Sequence, residues 1–200
     1  MKIIIVGATG TVGKAVVKAL SSHHEIIKVG YQHGDIQADI TDSQSIAKMY
    51  QSIGAFDALV STTGSVPFAP LTELSQEDYH NGLKNKLMGQ VSLVLQGIKY
   101  INNAGSFTLT SGILNHDPIR QGSVAAMVNG GIDGFVKSAA IELPNNIRIN
   151  AISPTMLLES VEIFGPYFSG FEPVPGNRVA MAYIKSVEGA QTGEIYRVWK

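Results

Sequence analysis

Between Lys2 and Gly13 the chain reads KIIIVGATGTVG, and no other stretch restricts the fold as much. An apolar, β-branched run, Ile3 to Val6, stops at Gly7. Gly7, Gly10 and Gly13 follow at the spacing G-x-x-G-x-x-G, and the apolar-periodic residues Ala15, Val16, Val17, Ala19 and Leu20 come directly after. This order describes a buried strand, a tight turn and the N-terminus of a helix. Glycine lets the backbone turn sharply and lets a diphosphate come close to it. The helix N-terminus presents unpaired N–H groups and a partial positive charge to that anion.

The remainder alternates in the same way. The pattern predicts a first helix to about Ser21, a second strand over Glu25–Val29 ending at Gly30, and a short extended piece over Asp35–Ala38. A helix follows, with Thr41 or Asp42 as its N-cap. Further strands are expected at Ala58–Val60, Ser106–Thr110, Ile147–Ile152 and Glu194–Val198. Helices are expected at about Gln76–Tyr100, Val124–Leu143 and Arg178–Ser186. The stretch Thr155–Pro175, with Gly165, Pro166, Gly170, Pro173 and Pro175, reads as irregular. Strands alternating with helices imply a doubly wound α/β domain, a parallel sheet of about seven strands covered on both faces. Ligands bind such sheets at the carboxyl ends of the strands. Gly7, Tyr31, Ser61, Ser111 and Pro154 all fall at such ends, so one crevice collects them.

Composition narrows the partners. A length of 200 residues suits one domain with a sizeable core. A net charge of −1 gives no reason to expect nucleic acid or an anionic membrane surface. The absence of cysteine excludes disulfides and thiolate chemistry and fits a reducing cytoplasm. The apolar start is too short and too quickly ended by glycine for a signal peptide, and no stretch has the length of a membrane span. The five histidines show no ligand spacing with carboxylates, so no metal site is expected. Ser111 lacks the G-x-S-x-G elbow of a serine hydrolase.

Taken in order, the motifs resemble the short-chain dehydrogenase/reductase family over nearly the whole chain. GATGTVG resembles its phosphate loop, placing Gly7, Thr9, Gly10, Thr11, Val12 and Gly13 at the cofactor. ADITD resembles the segment that meets the adenine, on Asp39 and Ile40. Ser61-Thr62-Thr63-Gly64 stands where the family has Asn-Asn-Ala-Gly. FTLTSG resembles the strand that ends in the catalytic serine, on Ser111. GFVKSAAIELPNNIRINAISP resembles the following helix and strand, closing at Pro154, and Thr192-Gly193 the pair before the last strand. The resemblance implies a single-domain Rossmann fold, an NAD(P)(H) cofactor and a small carbonyl or alcohol substrate. It further implies a substrate lid over residues 155–175. A homodimer is expected through the long helix and the helix at Val124–Leu143, which is rich in small residues.

The chain departs from the family where the chemistry lies. Aligned on Gly134 and KSAAIEL, the Tyr-x-x-x-Lys pair falls on Ala125 and Asn129. The asparagine of the long helix falls on Lys86, with Asn85 one residue away. Of the family's four catalytic groups only Ser111 stands in place. A positioned general acid contributes about 10²–10⁴ in rate, so a replacement is needed if there is turnover. Lys86, desolvated in the crevice, is one candidate. His116, with Asp117 beside it before Pro118, is another. Tyr167, Phe168 and Phe171 are candidates for an aromatic lid.

The end of the second strand, Gly30-Tyr31, has no carboxylate to hold a ribose 2′-hydroxyl or to repel a 2′-phosphate, and Asp35 belongs to the next piece of chain. NADP(H) is therefore expected ahead of NAD(H), with Lys14, Lys28 and His33 the cationic groups nearby. Two functions follow from the residues. One is an oxidoreductase with an atypical site built on Ser111, Lys86 and His116. The other is a nucleotide-binding sensor or assembly subunit without turnover.

Overall fold

The structure is a computed structural model describing residues 1–200. Seven parallel strands form one sheet. They are β1 (Lys2–Val6), β2 (Glu25–Gly30), β3 (Ile36–Gln37), β4 (Phe56–Ser61), β5 (Ile101–Thr110), β6 (Arg148–Pro154) and β7 (Ile195–Val198). They lie in the order β3-β2-β1-β4-β5-β6-β7. The order reverses between β1 and β4, and at such a point the two halves of the sheet part and leave a crevice.

The helices are α1 (Thr11–Leu20), α2 (Ser43–Ile53), α3 (Gln76–Gly82), α4 (Gly89–Gly97), α5 (Ser123–Ala139), α6 (Val161–Phe164) and α7 (Gly176–Glu188). β1 explains the two-sided cover. Its alternate residues Ile4 and Val6 join a core with Ile46, Leu93, Ile132 and Val136 from α2, α4 and α5. Ile3 and Ile5 join the opposite core, with Val16 and Leu20 from α1 and Val179 and Tyr183 from α7. A strand apolar on both faces is stable only between two helical layers. No helix is long and apolar enough to cross a membrane.

Several boundaries differ from the sequence reading. The expected helix Gln76–Tyr100 contains a π-helical stretch, Leu83–Met88, between α3 and α4, and ends at Gly97. β5 begins at Ile101 rather than Ser106 because it carries a bulge: Phe56 pairs with Ile101, then Ala58 with Ser106, and Ala104 turns at φ 59°. α5 stops at Ala139, short of Leu143, ahead of Pro144, as the residues before a proline resist helical geometry. Of the two proposed caps for α2, Asp42 does the work, its side chain accepting the Gln44 N–H at 2.9 Å. The stretch after β6 is not wholly irregular; it contains α6 flanked by short helical turns.

Candidate functional site

The glycines of the first loop have separate tasks. Gly7 has φ +86°, and a Cβ there would lie 2.7–2.9 Å from Thr62 and Thr63. A Cβ on Gly13 would lie 2.1 Å from the Gly7 carbonyl oxygen. Both positions are therefore demanded by the packing of α1 on the strand ends. Gly10 is different. Its nearest neighbour at Cβ distance is 3.4 Å away, and it lines an open cleft of about 520 Å³. Gly10 is also the N-cap of α1 and offers no side chain to the first-turn N–H groups, which are carried by residues such as Thr11, Val12 and Gly13. The cleft walls include Thr9, Tyr31, Asp39, Ile40, Thr62, Thr63 and Gly64. Ser65 and Asn85 line it too, and the sequence did not single them out for this cleft. Ser61 lies behind the wall, fully buried, its Oγ 2.9 Å from Thr63 Oγ1.

Asp39 is held in a turn: one carboxylate oxygen accepts from the Thr41 N–H and hydroxyl, each at 2.8 Å. At the end of β2, Tyr31 is 70% exposed. Asp35 is turned away from that end; its carboxylate accepts the Lys28 N–H at 2.8 Å on the flank of the strand. The cleft thus has an unsatisfied helix terminus, a close-approach glycine and no carboxylate at the end of β2, features that fit a dinucleotide diphosphate and its ribose.

A second cavity, of about 290 Å³, continues from Gly64 toward β5 and α5. Lys86 projects into it from the π-helical stretch. Its Nζ donates to Asn129 Oδ1 at 2.7 Å and to the Ser111 carbonyl oxygen at 3.1 Å. The residue as a whole is only partly buried, but its charged end is enclosed, and burial pushes its pKa down to about 8 while Asp133 opposes that shift. Gly64, at φ +118°, makes room: a Cβ there would stand 2.5 Å from Lys86 Cγ.

Gln90 locks this arrangement. It is fully buried; its Nε2 donates to the Lys86 and Thr110 carbonyls, and its Oε1 accepts the Thr110 N–H at 2.9 Å. Thr110 lies beyond the end of β4, so the Gln90 amide supplies the hydrogen bonds a neighbouring strand would have made. An amide inside the apolar run of α4 is the signal that could have found it. Asn85 performs a similar task, accepting the Ser65 N–H at 2.8 Å.

Ser111 lines the cavity, and its Oγ is buried without a partner. Ala125 and Asn129 face the same space, as do Pro154 and the apolar residues Val66, Phe68, Ile113, Leu114 and Phe164. Phe164 and Tyr167 rest on Phe68, with ring centroids 6.0 and 5.9 Å apart, while Phe168 and Phe171 pair with each other. His116 lines neither space. Its Nε2 is 3.8 Å from Asp133 Oδ2, and its ring lies 5.2 Å from that of Trp199. Its partner is therefore Asp133 and not the adjacent Asp117.

Residues 3–164 match a family model described as enoyl-(acyl carrier protein) reductase. The chain belongs to the short-chain dehydrogenase/reductase family. A solved structure of the protein lin1944 from Listeria innocua is similar over the whole of both chains, with 53% identity and a TM-score of 0.98. A small-chain dehydrogenase solved in complex with NADPH is 27% identical over 99% of this chain and 96% of that one, with a TM-score of 0.89. Among curated proteins, the hydroxynaphthalene reductase-like protein Arp2 of Metarhizium anisopliae is 28% identical over 136 residues, 65% of this chain and 51% of that protein. The chain thus spans about half the length of these curated relatives. In this chain a lysine reaches the second cavity from the π-helical stretch that follows β4.

Proposed function

We propose that the chain is an NADP(H)-dependent oxidoreductase of small carbonyl compounds or alcohols in which Lys86 is the proton donor. The observation that carries this reading is the enclosed Lys86 ammonium, held by the Ser111 carbonyl and Asn129 at the junction of the two spaces. Ala125 and Asn129 are read as replacements of the family's tyrosine and lysine. Lysine and asparagine have then changed sides of the cavity, and the charge arrives from the opposite helix.

The cofactor would be held by Gly10 and the first turn of α1 at its diphosphate, and by Thr9, Tyr31, Asp39 and Ile40 toward its adenosine. When bound it supplies a hydride to the substrate carbon. Two of the three Lys86 protons are engaged within the fold; the third is free for the carbonyl oxygen, which takes it as the C–O bond becomes single. Lys86 is left as the neutral amine and regains its proton from water. The unpartnered Ser111 hydroxyl donates to the same oxygen and orients it. A lysine pushed down to about 8 is largely protonated at neutral pH and gives up its proton more readily than an ordinary one.

The NADPH complex of the 27% identical dehydrogenase and the lack of a carboxylate at the end of β2 support NADP(H) over NAD(H). Residues 155–175 serve as the lid, its Phe164 and Tyr167 closing on Phe68 over an apolar substrate. The exposed Met88, Leu95 and Met127 on the π stretch, α4 and α5 are consistent with a homodimer, which sedimentation tests.

Calorimetric titration with NADPH and NADH comes first, then NADPH consumption over a carbonyl panel with the wild type, Ser111→Ala and Lys86→Ala. Tighter NADPH binding and turnover lost in Lys86→Ala are expected. Nucleotide binding with no turnover of any carbonyl would favour the sensor reading, which the methyl group of Ala125 at the tyrosine position supports. If neither nucleotide binds at millimolar concentration, both readings fall.

A further inference from the structure

Asp133 is a buried carboxylate that the preceding mechanism leaves idle. It lies on α5 one turn beyond Asn129 and is 6% exposed. Its Oδ2 accepts from Asn115 Nδ2 at 2.7 Å, while its Oδ1 is buried with no partner. The Asn115 Oδ1 is likewise buried and unpartnered. A carboxylate with half of its acceptor capacity unused is costly to bury unless a positive charge lies near it.

The groups facing it identify that charge. Asn115 and His116 approach from the turn after β5, with His116 Nε2 at 3.8 Å. His116 is covered in turn by Trp199, over which Arg197 lies at 5.0 Å. Lys137, one turn further along α5, is exposed. From the π-helical stretch comes Lys86, whose ammonium is bonded to Asn129, the residue directly preceding Asp133 on the same helical face. Lys86, Asn129, Asp133 and His116 thus form a line from the cavity floor to the surface.

We infer that Asp133 is a positioning residue: it is the counter-charge of Lys86, acting across Asn129 to keep the ammonium protonated and aimed at the cavity, with His116 and Trp199 shielding it from water. The opposing influence of Asp133 on the burial-lowered Lys86 is in the same direction. The inference rests on Lys86 being the proton donor for its functional meaning, but its physical content does not, since Lys86, Asn129 and Asp133 hold this arrangement without cofactor or substrate.

The test is a pH titration of the Lys86 side chain by NMR in lysine-labelled, cofactor-free protein, the signal being assigned by its loss in Lys86→Arg. Asp133→Asn keeps an acceptor for Asn115 and removes only the charge. The midpoint of Lys86 is expected to fall by about one unit in this variant. It stays within a few tenths of the wild-type value in Asn115→Ala, which disturbs the same turn without changing charge. If Asp133→Asn does not fold, Asp133→Ser, smaller and equally neutral, carries the same expectation. An unchanged midpoint in a folded Asp133 variant overturns the inference, as does an equal fall in Asn115→Ala. With an active carbonyl in hand, the basic limb of the pH–rate profile moves down by the same amount. A shifted midpoint in a protein that oxidises no NADPH with any carbonyl of the panel would leave the counter-charge standing and sink the oxidoreductase reading.

Discussion

The two spaces of the crevice are built on different principles. The cleft around Gly10 is made of backbone: a strand end, two glycines that permit a helix to lie close, and an uncapped helix terminus. The cavity around Lys86 is made of side chains, and nearly every polar group in it is held by a partner from another element. A backbone site tolerates little change, because its geometry and its ligand contacts are the same atoms. A side-chain site can be rewired while the sheet stays in place, and here the ammonium enters from the π-helical stretch and meets Asn129 of α5.

Replacing Lys86 by methionine separates the two most sharply. Turnover is expected to fall by about 10²–10⁴, while the NADPH dissociation constant stays within a few-fold, as calorimetry and steady-state kinetics on one preparation would show. The same variant tests the sign of the buried charge. The folded pKa of Lys86, about 8, lies below its ordinary 10.5. The folded state therefore binds fewer protons than the unfolded chain between those values, and wild-type stability rises with pH across that window. The penalty of burying the charged form is present in full below about pH 8. The rise is about 1–2 kcal/mol, less than the full shift implies because the residue is partly exposed. Lys86→Met should abolish it in denaturant titrations from pH 7.5 to 10. If Lys86 is the proton donor proposed above, turnover is expected to decline over the same range, because it needs the protonated amine.

The converse break is Gly13→Ala. Its new methyl group meets the Gly7 carbonyl, and overpacking at this severity costs about 3 kcal/mol. Stability and NADPH binding should fall together, measured by urea unfolding and calorimetry; a variant that stays stable and loses only nucleotide would contradict the assignment of Gly13 to packing. Gln90→Leu removes the partner of the Thr110 N–H and carbonyl and one donor to the Lys86 carbonyl, and should cost about 2 kcal/mol. Its effect should also reach turnover, because the clamp fixes Lys86 against Ser111. The smallest change is Tyr31→Asp. Tyr31 is exposed, so the fold is unaffected, and a carboxylate there should weaken NADPH by about tenfold while leaving NADH unchanged or tighter.

The same division governs what could be read from the chain. The phosphate loop, the parallel sheet and the cleft walls were legible because glycine spacing and apolar runs encode backbone geometry. The position of Lys86 in the crevice was legible from its register on the long helix. Its partners were not, because the π-helical turn at Leu83–Met88 changes the register of a helix that reads as regular, and the groups that make room for and brace Lys86, Gly64 and Gln90, lie apart from it in sequence or read as ordinary helix. Sequence adjacency also misdirected the reading of His116: Asp117 follows it directly, yet the turn at Ile113–Asn115 sends the imidazole toward Asp133 on the next helix. The start of β5 was missed because Asn102, Asn103 and Gly105 look like a loop, and only the bulge against β4 accommodates them in a strand.

Trp199 is the single tryptophan of the chain. It donates to Ser153 Oγ at the end of β6, lies beside His116, and packs against Ile113, Leu114 and Ala125 behind the second cavity, outside the cleft of Gly10. Indole emission responds to the groups packed around the ring, so the intrinsic fluorescence of this molecule is a local optical gauge of one end of the crevice. Excited at the indole band, the protein reports the packing around His116 and Ser153, while the dinucleotide end is silent until a reduced nicotinamide brings an emission of its own.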